Sequence, residues 1–134
     1  WVLSQQLGWV ASTERESNGW ATWSEAAVAE SLAEQKPVFV DFTAAWCVTC
    51  QVNKRTTLER PELLEHLKQK NVLALRADWT RRDPAITQAL ADLDRTGIPV
   101  YAIYRPAQAP QVLSELISVS EVRQALQDLP LAPR

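Results

Sequence analysis

Apolar positions along the chain fall into two periods, one suited to strands and one to helices. Residues 37–42 (Pro-Val-Phe-Val-Asp-Phe) are a short run of β-branched and aromatic side chains, the pattern of a buried central strand, with Asp41 as its one charged interruption. Beyond it, Val52, Thr56 and Leu58 interleaved with Lys54, Arg55 and Glu59 predict a helix lasting until the breaker Pro61. Pro61 opens a second helical stretch with Leu63, Leu64 and Leu67 on one face, ending near Asn71. Residues 72–77 read as a second strand, and Asp83-Pro84 starts a helix carrying Ile86, Leu90 and Leu93 that stops before Gly97. Residues 97–104 read as a strand led by Pro99, with residues 111–116 pairing beside it. Two capping boxes, Thr22-x-x-Glu25 and Ser118-x-x-Glu121, precede an alanine-rich helix and a terminal helix bearing Val122, Ala125, Leu126 and Leu129. Strands alternating with helices predict an α/β fold. Its central mixed sheet has helices on its faces, the first two strands parallel and a late hairpin as an antiparallel edge.

Composition narrows the function classes. A chain of 134 residues, 46% hydrophobic and 22% charged, is the size of one domain. Its net charge of -2 lacks the electrostatic footprint of a nucleic-acid or anionic-membrane binder. No apolar run approaches the roughly 20 residues of a membrane helix, and no signal-peptide layout opens the chain. With no methionine and Trp1 at its head, the sequence reads as a piece of something longer. Residues 1–19 mix two tryptophans with Ser, Gln and Glu without sustained period and read as a linker or tether, leaving residues 20–134 as the folded domain.

Chemistry centres on Cys47 and Cys50, the only cysteines. Their spacing fits a redox pair, half a metal site, or a structural disulfide. A zinc site wants four ligands, and two cysteines with the one histidine, His66, would need a second chain, so no metal site is expected. Closing a four-residue loop stabilises a fold by only about 2 kcal/mol, less than a longer loop would. A dithiol that opens and closes is the stronger reading. Following directly on a strand and opening a helix, Cys47 lies where unpaired N–H groups and the positive dipole end favour a thiolate, which makes it the nucleophile. Cys50, one turn further, resolves.

The run Val38-Phe-Val-Asp-Phe-Thr-Ala-Ala-Trp-Cys-Val-Thr-Cys, with Gly97-Ile98-Pro99 downstream, resembles the thioredoxin superfamily over about residues 20–129. Trp-Cys-Val-Thr-Cys, Ala77-Asp-Trp-Thr and Asp83-Pro are similar in particular to the C-terminal thioredoxin-like domain of the DsbD and ScsB family of transmembrane thiol:disulfide interchange proteins. The resemblance implies a thioredoxin-like fold with the Cys-x-x-Cys at a helix N-terminus. It makes Cys47 the attacking thiol and Cys50 the resolving thiol, with no cofactor beyond their disulfide. Asp41 matches the buried acid beneath the pair, able to accept a proton when Cys50 ionises. Pro99 matches a cis-proline facing the pair, Ile98 offers its backbone to an extended substrate segment, and Trp46 flanks the sulfur. The resemblance further implies a monomeric periplasmic domain of an inner-membrane protein. Such a domain takes electrons from an upstream transmembrane domain of the same protein and passes them to a periplasmic thioredoxin-like or disulfide-bearing partner. One departure is Lys54, where family members often carry Glu; a cation there favours the Cys47 thiolate.

Val48 and Thr49 bear no charge, and no histidine stands between the cysteines, which favours a reductant over an oxidase or isomerase of the same fold. A module holding a soft metal such as Cu(I) is the alternative from another class. His66 reads as an exposed helix residue, Trp20, Trp23 and Trp79 as packing. Arg81, Arg82 and Asp83 read as a solvated helix lead-in placed where a partner could touch it.

Overall fold

The computed structural model describes residues 19–129. The tether reading of residues 1–18 and the last residues of the expected domain, 130–134, lie outside the described residues. In chain order the elements are β1 (Ala21–Thr22), α1 (Glu25–Ala33), β2 (Val38–Thr43), α2 (Val48–Asn53) running into a π-helical turn (Lys54–Leu58), α3 (Pro61–Gln69), β3 (Leu73–Asp78), α4 (Pro84–Asp92), β4 (Val100–Arg105), β5 (Gln108–Val112) and α5 (Val119–Gln127). The sheet order is β1-β3-β2-β4-β5. β2 pairs parallel with β3 and antiparallel with β4, and β4–β5 is the antiparallel edge hairpin. The buried run around Asp41 is thus the central strand, as its composition predicts. No described helix is long and apolar enough to cross a membrane.

Strand alternation sorts the core into two layers. Val38, Val40 and Phe42 of β2 join Leu75, Ala77, Val100 and Ala102 beneath α1 and α4. Phe39, Tyr101 and Ile103 point the other way, against Trp20, Leu58, Leu63 and Leu67 and against Val122 and Leu126 of α5. Asp41 and Arg76 sit in register across β2 and β3, and Asp41 opposes Tyr101 across β2 and β4. Both polar residues therefore belong to the second layer, next to Phe39.

Several boundaries differ from the sequence pattern for local reasons. Thr22 is not a helix cap: it pairs beside Arg76 in the short edge strand β1, and Ser24 caps α1 by accepting from the Ala27 N–H at 3.0 Å. Ser118 does cap α5, but Glu121 accepts from the Ser114 N–H at 2.8 Å instead of closing the box. Asp94, with φ 61°, rather than Gly97, turns the chain out of α4. β5 lies three residues earlier than the 111–116 reading, because a two-residue turn at Pro106-Ala107, with Ala107 at φ 61°, closes the hairpin at once.

Candidate active site

The central strand delivers its chain to the site at the C-terminal end of β2, where Thr43-Ala44-Ala45-Trp46 leads into α2. Cys47 is the N-cap of α2, with extended backbone (φ -95°, ψ 107°), and its Sγ accepts from the Cys50 N–H at 3.2 Å. The Ala44 carbonyl accepts the Cys47 N–H at 3.2 Å and the Gln51 side-chain amide at 2.9 Å, which ties this turn to the helix. Cys47 and Cys50 are joined as a disulfide. Cys47 is 8% exposed and Cys50 only 1%, so the first sulfur is the one a partner can reach. Around it Trp46 (48% exposed) and Val48 (78%) form an open apolar rim.

Of the other expected site residues, Ile98 and Pro99 lie beside the pair and Trp46 directly precedes Cys47. Ile98 packs against the cluster of Ala44, Cys47 and Cys50, and the Ile98–Pro99 peptide is cis with Pro99 buried. Trp46 is held by its indole N–H donating to the Thr80 carbonyl at 3.1 Å, while the Thr80 hydroxyl accepts the Ala45 N–H at 2.8 Å. His66 stands apart on α3, accepting from Arg123 Nε at 3.1 Å. Trp20 and Trp79 are core residues and Trp23 packs against the α1/α4 layer, as read from the sequence.

Asp41 is fully buried, and one of its oxygens accepts from Arg76 Nε at 2.9 Å. Its other oxygen, Oδ1, has no hydrogen-bond partner among the described residues. Burial pushes the Asp41 carboxyl above the ordinary carboxylate range. The neighbouring Arg76 charge and hydrogen bond, with a smaller contribution from Lys54, offset this only in part. Arg76 reaches outward to Glu59 at 3.5 Å and stacks 5.0 Å above the Trp20 ring. A cavity of about 440 Å³, lined by Thr43, Ala44, Gln51, Lys54, Glu59 and Arg76 among others, opens beside this pair. A buried acid prone to protonation, with a polar opening alongside, can take up and release a proton.

Sequence reasoning missed Arg76, although its signal was present: one charge inside the apolar run 72–77, matching the single charge inside 37–42. It also missed Asn53, whose amide donates to the Tyr101 hydroxyl at 2.8 Å and to the Glu115 carbonyl at 2.9 Å. Nothing local in the sequence announces that tie.

A mixed sheet flanked by helices, with a Cys-x-x-Cys pair capping the helix after the central strand, is the architecture of a thiol:disulfide oxidoreductase. A thioredoxin-like family model matches residues 19–106, more than half of the chain, and the chain belongs to the thioredoxin-like family. Over 82 residues it is 33% identical to thiol:disulfide interchange protein DsbD 1 of Pseudomonas aeruginosa, covering 61% of this chain and 14% of that protein. Over 86 residues it is 29% identical to DsbD of Vibrio cholerae, covering 64% of this chain and 14% of that one. The chain thus spans a small part of the length of these curated relatives. Among solved structures, the oxidised C-terminal domain of Neisseria meningitidis DsbD superposes with a TM-score of 0.65 at 20% identity, covering 81% of this chain and 98% of that one. The first thioredoxin domain of mouse protein disulfide-isomerase A4 gives 0.66 at 18% identity, covering 94% and 88%. At such identities these two likenesses speak for the fold.

Proposed function

We propose that this domain is a protein-disulfide reductase that relays electrons from an upstream membrane-embedded domain to disulfides of periplasmic partners. The observation that carries this reading is the asymmetry of the pair: Cys47 caps a helix at an open apolar rim while Cys50 is sealed beneath it. The similarity to DsbD proteins supports the relay and its periplasmic setting. The Cys47 thiolate attacks one sulfur of the partner disulfide, and the partner's other sulfur leaves as a thiolate. Cys50 then loses its proton, for which the Asp41 carboxylate is the acceptor. Its thiolate attacks the Cys47 sulfur, so that the partner's second thiol is released and Cys47–Cys50 is left oxidised. The partner gains two electrons and the domain loses two; an upstream dithiol must restore them. Ile98 and Pro99 present backbone and surface to the partner segment, and Trp46 shields the reacting sulfurs.

Oxidised glutathione tests the order of events. In Cys50→Ser the mixed disulfide with glutathione accumulates on Cys47, visible by mass spectrometry; in Cys47→Ser none forms. Adduct formation on Cys50 in place of Cys47 would reverse the assignment.

A further inference from the structure

The loop between β3 and α4 carries a group that the exchange chemistry leaves unused. The guanidinium carbon of Arg82 lies 4.9 Å from the Trp46 ring centroid and 4.8 Å from that of Trp79, and the two rings are 6.1 Å apart. Both rings are pinned, Trp46 by Thr80 and Trp79 by its indole N–H donating to Thr87 Oγ1 at 2.9 Å. The Arg82 backbone is left-handed, with φ 53°, and its N–H donates to the Trp79 carbonyl at 2.9 Å. A long surface side chain ordinarily samples many rotamers; stacking on fixed aromatic faces restricts this one in advance. The neighbouring carboxylates are turned to other work. Asp78 accepts from the Thr80 N–H and hydroxyl, and Asp83 caps α4 through the Ala85 N–H. Among the described residues Arg82 makes no ion pair.

A pre-positioned cation therefore rests on the ring of Trp46, the residue immediately before the reachable sulfur, in a chain whose net charge is negative. We infer that Arg82 is a specificity residue: it receives a carboxylate carried beside the cysteine of the partner's disulfide when that segment lies across Ile98-Pro99 and Cys47. The inference rests on the reductase reading. Arg82 takes no part in bond making; it selects acidic partner segments and speeds their encounter, an effect that added salt weakens.

Two synthetic peptides test it, identical except that either two Glu or two Lys flank one cysteine held as a mixed disulfide with neutral 2-thiopyridine. The Cys47 thiolate displaces thiopyridine, whose absorbance reports the rate, and Cys50 then releases the peptide thiol. Rates are normalised to those of reduced dithiothreitol with the same peptides. The reduced domain is expected to favour the Glu peptide by about two- to fivefold, the scale of an exposed ion pair. Arg82→Gln brings that ratio close to one, Arg82→Glu inverts it, and Arg82→Lys keeps part of it. If Arg82→Gln slows both peptides equally and leaves the ratio intact, Arg82 merely props up Trp46 and the inference is overturned. If the wild-type domain shows no preference, it is overturned as well, with the reductase reading untouched. Reduction of neither peptide would instead remove the reductase reading and this inference with it.

Discussion

Asp41 and Arg76 are two charges folded into strands whose other buried side chains, Thr43 apart, are apolar. The native carboxyl of Asp41 holds its proton more tightly than in the unfolded chain, so its linkage has a definite sign. Between the ordinary value near 3.8 and the raised native value, the folded state binds more protons. Asp41 therefore makes stability fall as pH rises through that window, after which its effect is constant. Urea midpoints against pH should show Asp41→Asn gaining on wild type across the window; parallel profiles would contradict this. Lys54 acts on two sites at once. It eases ionisation of Asp41, and as a cation two turns from Cys47 along the helix it is expected to favour the thiolate of the reduced pair. Lys54→Glu is expected to move the pH midpoint of Cys47 alkylation upward, and an unchanged or lower midpoint would refute the assignment. At this scale the sequence was most legible where a residue broke its local pattern. Asp41 and the cysteine spacing stood out in isolation, whereas Arg76 gains its meaning only from the β2–β3 register that sets it beside Asp41.

The element carrying the cysteines is not a uniform helix. After Asn53 it widens into a π-helical turn, closed by the Glu59 N–H donating to the Lys54 carbonyl at 2.9 Å. The wider turn sets Thr57 to donate to the Ile117 carbonyl at 3.1 Å and leaves the Leu58 carbonyl to accept the Trp20 indole N–H at 3.1 Å. With Asn53 bound to Tyr101 and Glu115, the far end of the helix is tied to the sheet and to the loop before α5. Asn53→Ala leaves the buried Tyr101 hydroxyl and a carbonyl short of a donor, which should cost about 1–3 kcal/mol in denaturant unfolding. A loss indistinguishable from zero would mean that water replaces the amide. Helix and strand identities were legible because periods of 3.6 and 2 survive in a short chain. The π turn, the two-residue strand β1 and the hairpin register were not, since each depends on partners more than 30 residues away or on a left-handed alanine that composition does not advertise.

Across the whole molecule, the central strand places an acid in one core layer and then runs straight into the helix that Cys47 caps. The cis-proline segment before β4 brings Ile98 against the cluster of Ala44, Cys47 and Cys50. One sheet thus carries Asp41, the strand end that leads to Cys47 and the Ile98–Pro99 segment that packs beside the pair, and the proposed thiol:disulfide exchange rests on that arrangement. The direction of electron flow rests on the relative stability of dithiol and disulfide. A reductant needs a pair that gives up its electrons readily. The most direct test is the reduction potential of Cys47/Cys50, obtained by equilibrating the domain with dithiothreitol or glutathione buffers and quantifying free thiols. The reductase account predicts a potential between about -200 and -270 mV, the range of glutaredoxins and thioredoxin; a value close to about -120 mV would mark a disulfide donor and contradict it.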